Sequence, residues 1–350
     1  MPATALLRRF PELEGRIPHL PLGEWPTPVQ RLALGERLGA DLWVKRDDLS
    51  APLYGGNKVR KLEHLLADAV RERAGSLITM GGIGSNHVVA TALYGRELGL
   101  RTVAVVAPQP VTPFVRHVLE LVRALDVELV PCRSRLLIPL ALAGARRRAD
   151  RPYVIGPGGS SPLGTLGYVA AGLELGQQVA DGILPAPDDV FVALGSGGTM
   201  AGLALGLYLA GLRCRLVGVR VVERPLISKT WVRILLARTA HVLRTHVPRL
   251  QAGSVEMILS HRFLGGGYGH VTTAATEAMQ SLFDSDGLML EPTYTGKVAA
   301  AMLEQVRADR ARRLLFWHTY NGRDTAPQAA TAHSARPLPE IITAWLNAAP

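Results

Sequence analysis

Short apolar runs alternate with longer amphipathic stretches along most of the chain. Short apolar runs bounded by glycine or proline predict buried strands, whereas apolar residues at every third or fourth position predict helices. The predicted strands span residues 41–45, 76–80, 102–107, 127–131, 152–155, 190–194, 215–221 and 313–318. The predicted helices span residues 58–66, 87–98, 113–125, 134–148, 163–180, 199–210, 272–283 and 297–309. This alternation is typical of parallel sheets with helices on both faces, so the pattern predicts an α/β fold.

Three stretches depart from the alternation. The proline-rich residues 1–40 are predicted to form an extended arm. Residues 226–260 are predicted to be mostly amphipathic helix, because leucines and arginines lie on opposite faces. The glycine-rich residues 265–269 are predicted to form a flexible loop.

The length of the chain, 350 residues, suits two domains of an α/β enzyme. The glycine- and proline-rich residues 156–162 are the best candidate for a crossing between them.

The sequence Gly55-Gly56-Asn57-Lys58 places a lysine where a glycine-rich loop turns into a helix. Glycines let the backbone pass close to a ligand, and asparagine favours the start of a helix. The positive end of the helix dipole lowers the pKa of a first-turn lysine and makes its amine a better nucleophile towards an aldehyde. We therefore predict that Lys58 carries pyridoxal phosphate as a Schiff base. Lys45, a second lysine near this loop, is predicted to pair with Asp47 or Asp48.

A second glycine-rich loop, Gly195-Ser196-Gly197-Gly198-Thr199, lies between a predicted strand and a predicted helix. The N–H groups of such a loop converge on a phosphate at the helix N-terminus, and Ser196 and Thr199 add hydroxyl donors. No Gly-Lys-Ser/Thr follows, and the full dinucleotide fingerprint is missing, although Glu223 after the next strand keeps a weak dinucleotide alternative open. Tight packing of a strand against a helix is the other explanation for these glycines.

The residues Ser85-Asn86-His87 open another predicted helix after a glycine-rich turn. Ser85 is a favourable N-cap, and the free N–H groups of the first turn suit a substrate carboxylate. Asn86 is a candidate partner for a ring hydroxyl of the cofactor. A plain helix cap is the alternative role for Ser85.

Two tyrosines, Tyr268 and Tyr294, lie in glycine-containing loops rather than on apolar faces. A phenol in a loop can orient a substrate or pass a proton, and partly buried packing is the alternative for each tyrosine alone. His318-Thr319 ends the last predicted strand, and ligands of open α/β sheets gather at the carboxyl ends of strands. Thr319 is therefore a candidate partner for a pyridine nitrogen.

Composition and charge narrow the class of partner. The formal net charge of +10 favours anionic ligands. The sequence contains no basic stripe interleaved with aromatic residues, so we predict that the protein binds no nucleic acid. Cys132 and Cys214 are far apart and outside any metal-ligand spacing, so we predict no metal site and free thiols in a reducing cytoplasm. The first ten residues lack the apolar core of a signal peptide, and residues 200–212 are too short to span a bilayer. The sequence therefore predicts a soluble cytoplasmic protein that binds no membrane.

Taken together, these motifs resemble the 1-aminocyclopropane-1-carboxylate deaminase and D-cysteine desulfhydrase family of pyridoxal-phosphate enzymes. The resemblance extends from about Leu20 to Gly322. It rests on segments that occur in this order: Trp25-Pro26-Thr27-Pro28, Lys45-Arg46-Asp47-Asp48, Gly55 to Glu63, Ser85-Asn86-His87, Gly195 to Thr199 and Tyr294-Thr295-Gly296-Lys297. It implies the tryptophan-synthase-β-like fold (fold type II) with two parallel-sheet αβα domains, pyridoxal 5'-phosphate as cofactor, a small amino acid as substrate and a homodimer. With the crossing at residues 156–162, we predict a large domain that binds the cofactor, built from residues 1–52 and 160–350, and a small domain built from residues 53–159.

The resemblance also implies a role for each residue singled out above. It assigns the Schiff base to Lys58, the ring hydroxyl to Asn86, the phosphate to the loop Gly195, Ser196, Gly197, Gly198 and Thr199, and the pyridine nitrogen to Thr319. It places Ser85, Asn86 and His87 near the substrate carboxylate, and Tyr268 and Tyr294 beside the reacting carbon.

One position favours a particular reaction. In the family, glutamate usually follows the second tyrosine in enzymes that open the cyclopropane ring, whereas this chain has Thr295, as in the desulfhydrase branch. We therefore predict β-elimination from D-cysteine to give pyruvate, ammonia and sulfide. The alternatives are a cyclopropane-opening deaminase, β-elimination of another small amino acid such as cysteate, and a non-catalytic pyridoxal-phosphate-binding protein.

Two departures from the family pattern bear on the substrate. Gly84 stands where glutamine usually precedes the serine, and Tyr320-Asn321 interrupts the usual His-Thr-Gly-Gly ending. We expect Gly84 to open space or remove an amide contact, and Tyr320 to add bulk.

Overall fold

The computed structural model describes residues 4–223, 227–325 and 337–348. The strands are β1 (Val29–Arg31), β2 (Asp41–Lys45), β3 (Ser76–Gly82), β4 (Arg101–Ala107), β5 (Glu128–Pro131), β6 (Pro152–Val154), β7 (Asp189–Leu194), β8 (Arg215–Arg220), β9 (Glu256–Ser260) and β10 (Arg313–Trp317). The helices are α1 (Ala5–Arg9), α2 (Ala33–Leu38), α3 (Asn57–Arg71), α4 (Asn86–Glu97), α5 (Pro113–Ala124), α6 (Ile138–Arg148), α7 (Pro162–Ala180), α8 (Gly198–Leu209), α9 (Lys229–Arg244), α10 (Thr273–Asp286), α11 (Thr295–Ala308) and α12 (Glu340–Asn347). Among these described residues, no helix is long and apolar enough to cross a membrane.

The chain divides into two compact units. The first contains the described parts of residues 1–17, 23–64 and 160–323, and the second contains those of 18–22, 65–159 and 324–350. Each unit is built around a sheet of parallel or mostly parallel strands, which confirms the predicted α/β fold. That the units act as a large cofactor-binding domain and a small domain stays a prediction.

The sheet of the first unit has the order β1-β2-β10-β7-β8-β9, in which only the β1–β2 pair is antiparallel. Side chains alternate between its faces, as the period of two in a strand requires. Phe191 packs with α10 and α11 on one face, whereas Val190 and Val192 pack with α7 and α8 on the other. Both faces are therefore apolar, which explains the nearly continuous apolar runs in these strands.

Two predictions about this unit were wrong. The first 40 residues are not simply an extended arm, because they form α1, β1 and α2, and α1 buries Leu6 against α7. The stretch predicted as mostly helical contains α9, but its last five residues form the edge strand β9; Leu226 lies outside the described residues. A run such as Met257-Ile258-Leu259 fits either a buried helix or a buried strand, so its pattern alone could not separate them.

The sheet of the second unit has the order β5-β4-β3-β6 and is entirely parallel. Its core includes Ile78 and Met80 of β3 and Val103 and Val105 of β4, and Ala145 of α6 packs with them. The last turn of α6 carries three arginines, which complement the negative end of its dipole. The carboxyl ends of β3 and β4 lie side by side, so the loops that follow them share one edge of this sheet.

Candidate active site

The Lys58 loop, residues 55–58, is held at the carboxyl ends of two neighbouring strands of the first unit. The Gly56 N–H donates to the carbonyl of Asp47 after β2 at 2.8 Å, and the Asn57 N–H donates to the carbonyl of Thr319 after β10 at 3.1 Å. Gly56 has a φ of +89°, and a Cβ there would lie 2.8 Å from the Thr319 carbonyl oxygen, so the position requires glycine. Lys58, the second residue of α3, therefore lies at the edge where α/β sheets bind ligands.

Asn321, one of the departures from the family pattern, is part of the frame of this loop. Its Oδ1 accepts the Gly55 N–H at 2.6 Å, and its Nδ2 donates to the Arg323 carbonyl at 2.8 Å. The Arg323 guanidinium in turn donates to the carbonyl of Ala51 at 2.9 Å. The Asn321 side chain therefore supports the backbone just before Lys58.

The Lys58 amine has the properties of a nucleophile. It is partly buried and donates to the neutral Oδ1 of Asn57 at 2.6 Å. Burial lowers the pKa of Lys58 to about 8, and the charge of Glu291 opposes that shift. At neutral pH an appreciable fraction of this amine is therefore uncharged and able to attack an aldehyde.

The Gly195–Thr199 loop lies beside the Lys58 loop. The Nδ2 of Asn57 donates to the Oγ1 of Thr199 at 3.2 Å, which joins the two loops directly. Gly197 has a φ of +94° and precedes the first residue of α8, so the loop ends at the N-terminus of that helix. The arrangement brings backbone N–H groups and hydroxyls together where an anion would meet the positive end of a helix dipole.

Two further residues at this loop were missed by the sequence analysis. The Oγ of Ser160 accepts the Gly198 N–H at 3.0 Å and lies 2.6 Å from the Oγ of Ser196. The Lys61 amine, one turn after Lys58, donates to the same Ser160 oxygen at 3.3 Å. Lys61 is buried, and burial followed by the charge of Lys58 holds its pKa well below the usual range. The motif containing Lys61 was visible, but nothing in the sequence indicated that Ser160 meets it.

The two candidate tyrosines form a pair. The hydroxyl of Tyr294 donates to that of Tyr268 at 2.9 Å, and the rings meet edge to face with centroids 5.9 Å apart. A Cβ on Gly195 would lie 3.3 Å from the Tyr294 ring, so this ring packs against the Gly195–Thr199 loop. The structure therefore brings Lys58, Thr319, the glycine loop and both tyrosines into one region of the first unit.

Buried charged groups fix the positions of the tyrosines. The carboxylate of Glu291 accepts the N–H groups of Thr293, Tyr294 and Thr295 at 2.8 Å each. The Lys297 amine donates to the carbonyl of Leu264 at 2.7 Å and to that of Gly267 at 3.2 Å. Both carbonyls belong to the segment just before Tyr268. The Tyr268 N–H donates to Glu223 at 2.8 Å. Burial raises the pKa of Glu291, although the three N–H donors favour its ionised form.

A buried cluster of four charged residues, Lys45, Asp47, Arg60 and Glu174, lies behind the Lys58 loop. Lys45 donates to Glu174 at 2.5 Å, so the predicted pairing of Lys45 with Asp47 or Asp48 was wrong. Arg60 contacts Asp47 at 2.8 Å and Glu174 at 2.9 Å. Asp47 also accepts hydrogen bonds from Thr27, Tyr168 and Trp317. Although burial opposes ionisation of this carboxyl, Arg60, Lys45 and the hydrogen bond from Trp317 hold the pKa of Asp47 at about 2.

Tyr320 and Thr319 are close to the same region. Thr319 is buried and reaches the Lys58 loop through its carbonyl. Burial, followed by the charge of Glu291, raises the pKa of Tyr320, so its phenol stays protonated at neutral pH. Tyr320 therefore adds a neutral phenol ring to this region, as expected for a bulky residue at this position.

The second unit carries Ser85-Asn86-His87 at the start of α4, after β3. Ser85 and His87 are buried and Asn86 is partly buried. Ser85 occupies the N-cap position, but its side chain does not cap the helix. The expectation that Gly84 opens space was wrong: a Cβ there would lie 2.7 Å from Val115 and 2.9 Å from the Gln109 amide nitrogen. Gln109, after β4, also accepts the Gly84 N–H at 3.2 Å, so it was a missed residue of this loop.

The groups assembled in the first unit fit pyridoxal phosphate. An amine of lowered pKa suits its aldehyde, and a helix N-terminus with the hydroxyls of Ser160, Ser196 and Thr199 beside a buried lysine suits its phosphate. Together with the parallel sheet and the ligand site at its carboxyl edge, these groups define a pyridoxal-phosphate enzyme of fold type II.

Comparisons with known proteins identify the family. Residues 20–319 match the family model described as pyridoxal-phosphate dependent enzyme. A Klebsiella pneumoniae protein named D-cysteine desulfhydrase is 38% identical over 317 residues, covering 87% of this chain and 94% of that protein. A Pyrococcus horikoshii protein assigned provisionally as a 1-aminocyclopropane-1-carboxylate deaminase is 33% identical over 324 residues, covering 90% and 93%. The crystal structure of a homologue of 1-aminocyclopropane-1-carboxylate deaminase is 30% identical with a TM-score of 0.77, covering 95% of this chain and all of that one.

The chain belongs to the pyridoxal-phosphate-dependent enzymes, in the family of 1-aminocyclopropane-1-carboxylate deaminase and D-cysteine desulfhydrase. It is therefore a lyase or deaminase that uses pyridoxal phosphate. The predicted family, cofactor and enzyme class are confirmed, and the non-catalytic alternative is set aside.

Proposed function

We propose that this enzyme carries out β-elimination on D-cysteine and releases pyruvate, ammonia and sulfide. The observation that carries the proposal is the residue after the second tyrosine, Thr295, where ring-opening deaminases of the family usually have glutamate. Relatives named D-cysteine desulfhydrase, 37 to 38% identical to this chain, support the same choice.

The Thr295 side chain is not an acid, and the carboxyl group 3.3 Å from its hydroxyl belongs to Glu291. Thr295 is fully buried, and its hydroxyl oxygen accepts the Glu291 N–H at 2.9 Å. The same hydroxyl donates towards the Glu291 carbonyl at 3.2 Å. Thr295 therefore belongs to the start of α11 and offers no carboxylate for protonating a ring carbon.

We assign the cofactor to groups of the first unit. Lys58 would hold its aldehyde carbon, the Gly195–Thr199 loop with Ser160 and Lys61 its phosphate, and Thr319 its pyridine nitrogen. Asn86 is the proposed partner of the ring hydroxyl. A threonine at the nitrogen is a neutral partner and would not protonate it. When bound, pyridoxal phosphate stabilises negative charge on the α-carbon of the amino acid.

The chain's own residues would then manage the protons. The Lys58 amine, with a pKa of about 8, is the proposed base for the Cα proton. The electrons of the Cα–H bond form the Cα–Cβ double bond as the Cβ–S bond breaks. The sulfur leaves with that bond's electrons, and the Tyr268–Tyr294 hydroxyl pair is the proposed proton donor to it. The remaining three-carbon fragment takes up one water and loses ammonia to become pyruvate.

We propose that Ser85, Asn86 and His87 bind the substrate carboxylate. The support is the start of α4, whose first-turn N–H groups favour an anion, and the Ser85 hydroxyl, which is not used as a cap. A carboxylate held there would be common to every amino-acid substrate, so this assignment does not distinguish D-cysteine from its competitors.

A 1-aminocyclopropane-1-carboxylate deaminase is the second candidate, because the Pyrococcus relative and the solved homologue carry that name. Cysteate is a third substrate to test, since the net charge of +10 favours an anionic side chain. We also propose that the protein is cytoplasmic and forms a homodimer. Sedimentation of the purified protein would test the dimer.

Release of pyruvate and sulfide from D-cysteine by the purified enzyme with pyridoxal phosphate tests the reaction. Both products are expected, in equal amounts, and neither is expected from Lys58→Ala. Pyruvate with sulfite from cysteate, or 2-oxobutyrate without sulfide from the cyclopropane substrate, at a higher kcat/KM than for D-cysteine, would replace the proposal with the corresponding alternative.

A further inference from the structure

The indole of Trp231 lies directly against the Gly195–Thr199 loop. Its Nε1 donates to the carbonyl oxygen of Ser196 at 3.2 Å. A Cβ on Gly197 would lie 3.3 Å from the indole ring, so the loop backbone packs on that ring without a side chain between them. Nothing in the sequence indicated a role for Trp231, because it lies 32 positions or more after the loop.

The helix that carries Trp231 is firmly attached to the helix that follows the loop. Val232 and Leu235 of α9 are buried in the same apolar cluster as Ala201 of α8. The Ser228 hydroxyl accepts the Trp231 N–H at 3.0 Å and caps α9. Trp231 therefore reaches the loop from a helix that is packed against α8 and capped at its start, although the residue is about a third exposed, at 37%.

The hydrogen bond to Ser196 determines where the next N–H points. In a trans peptide the carbonyl and the following N–H point in opposite directions, so a Ser196 carbonyl turned towards Trp231 turns the Gly197 N–H away from the indole. Among the described residues, the Gly197 N–H has no hydrogen-bond acceptor. It lies next to Gly198, whose N–H is directed at Ser160. A donor aimed away from the indole and left without a protein partner is suited to a ligand anion.

We propose that Trp231 is a positioning residue for the cofactor phosphate: its indole N–H orients the Ser196–Gly197 peptide so that the Gly197 N–H donates to that phosphate. The proposal rests on the assignment of the Gly195–Thr199 loop to the phosphate. It predicts that loss of the indole N–H lowers the preference for pyridoxal phosphate over pyridoxal. A misoriented loop would weaken the contacts to the phosphate and leave the contacts to the rest of the cofactor in place.

The test compares the dissociation constants of pyridoxal phosphate and pyridoxal, measured by absorption titration of the apo-protein. Trp231→Phe keeps an aromatic ring and removes the N–H, so the preference for pyridoxal phosphate should fall about three- to tenfold, the usual effect of one hydrogen bond. Pyridoxal binding should change less than about twofold. Trp345→Phe, a tryptophan of α12 in the second unit, is the matched control and should change neither constant.

Two outcomes would overturn the proposal. A second variant then shows whether only the role of Trp231 fails or the assignment of the loop fails as well. An unchanged preference in Trp231→Phe, or an equal loss for both ligands, would show that the indole N–H does not act through the phosphate. Thr199→Ala tests the loop itself and should also lower the preference. If Thr199→Ala lowers it and Trp231→Phe does not, only the role of Trp231 fails; if neither lowers it, the assignment of the loop fails as well.

Discussion

Arg60 and Lys58 stand two positions apart on α3 and have opposite electrostatic surroundings. Arg60 contacts the carboxylates of Asp47 and Glu174, which, despite its burial, raise its pKa well above the ordinary value. Lys58 donates to the neutral amide of Asn57, and burial lowers its pKa to about 8. One helix thus presents a permanently charged group to the core and a readily deprotonated amine to the sheet edge. For these two side chains, contact with carboxylates rather than burial alone separates the permanently charged group from the readily deprotonated one.

The largest expected effect is the loss of turnover when Lys58, the reactive residue of this pair, is removed. Lys58→Ala should lower the rate of substrate turnover by about 10³-fold or more, because the proposed base and covalent holder of the cofactor are both removed. The visible absorption of the lysine-bound cofactor should also disappear. Lys229→Ala, which removes an exposed lysine of α9, should retain both activity and absorption. Persistence of the absorption in Lys58→Ala would contradict the assignment.

The structural side is tested by Arg60→Met. This variant leaves Asp47 and Glu174 buried with Lys45 as the only remaining cation of the cluster, so we expect the free energy of unfolding to fall by about 3–5 kcal/mol. Arg31→Met removes an exposed arginine 3.7 Å from Glu36 and should cost less than about 1 kcal/mol. Urea denaturation of both variants measures the difference. Equal costs would mean that the buried cluster contributes no more than a surface pair.

Acid should weaken the same cluster. The pKa of Asp47 is lowered to about 2 in the folded protein, below its ordinary value of 3.8. A lowered carboxyl pKa stabilises the fold above the unfolded-state value, and this stabilisation is lost as pH falls from about 4 to about 2. We expect a loss of about 2 kcal/mol over that range from this group. Unfolding measured at low and at high salt should show the same loss, since buried pairs are poorly screened; disappearance of the loss at high salt would assign it to surface charges.

An effect of similar or smaller size concerns the second unit, where Val115 and the neutral Gln109 amide fill the space at Gly84. Gly84→Ala should destabilise the protein by about 1–3 kcal/mol, because the new methyl group overlaps Val115 and Gln109. The cost should be smaller when Gln109 is also alanine. Gly156→Ala, where a Cβ meets nothing within 4 Å, is the control and should be close to neutral. Thermal unfolding of the wild type, Gly84→Ala, Gln109→Ala and the double variant measures the coupling. An unchanged cost of Gly84→Ala in the double variant would mean that Gln109 does not fill this space.

Much of the fold followed from local pattern. The apolar runs of β3, β4, β7, β8 and β10 were predicted within one or two residues at most ends, because strands buried on both faces read as continuous apolar segments. The edge strand β9 was missed since its short apolar run has no alternation. Helices α1 and α2 were missed because both are short and lie among prolines and glycines, which suggest irregular structure.

The pairing of buried charges did not follow from local pattern. Lys45 has two acidic residues within three positions, yet its partner is Glu174, 129 residues away on α7. Ser160 and Lys61, 99 residues apart, meet at one oxygen, and Gln109 reaches Gly84 from the neighbouring strand. A side chain's partner depends on which elements the topology brings together, and a single sequence contains no direct record of that.

The sequence by itself determined the class of enzyme, the cofactor and the lysine expected to hold it. A glycine-rich loop and a helix start are local devices whose chemistry depends on a few adjacent residues, so they can be recognised one segment at a time. Only the tertiary structure decided which buried cations are neutralised, which residues surround the glycine loop, and that Gln109 occupies the space beside Gly84. Those properties depend on desolvation and on contacts between distant segments, and both arise only when the chain is packed.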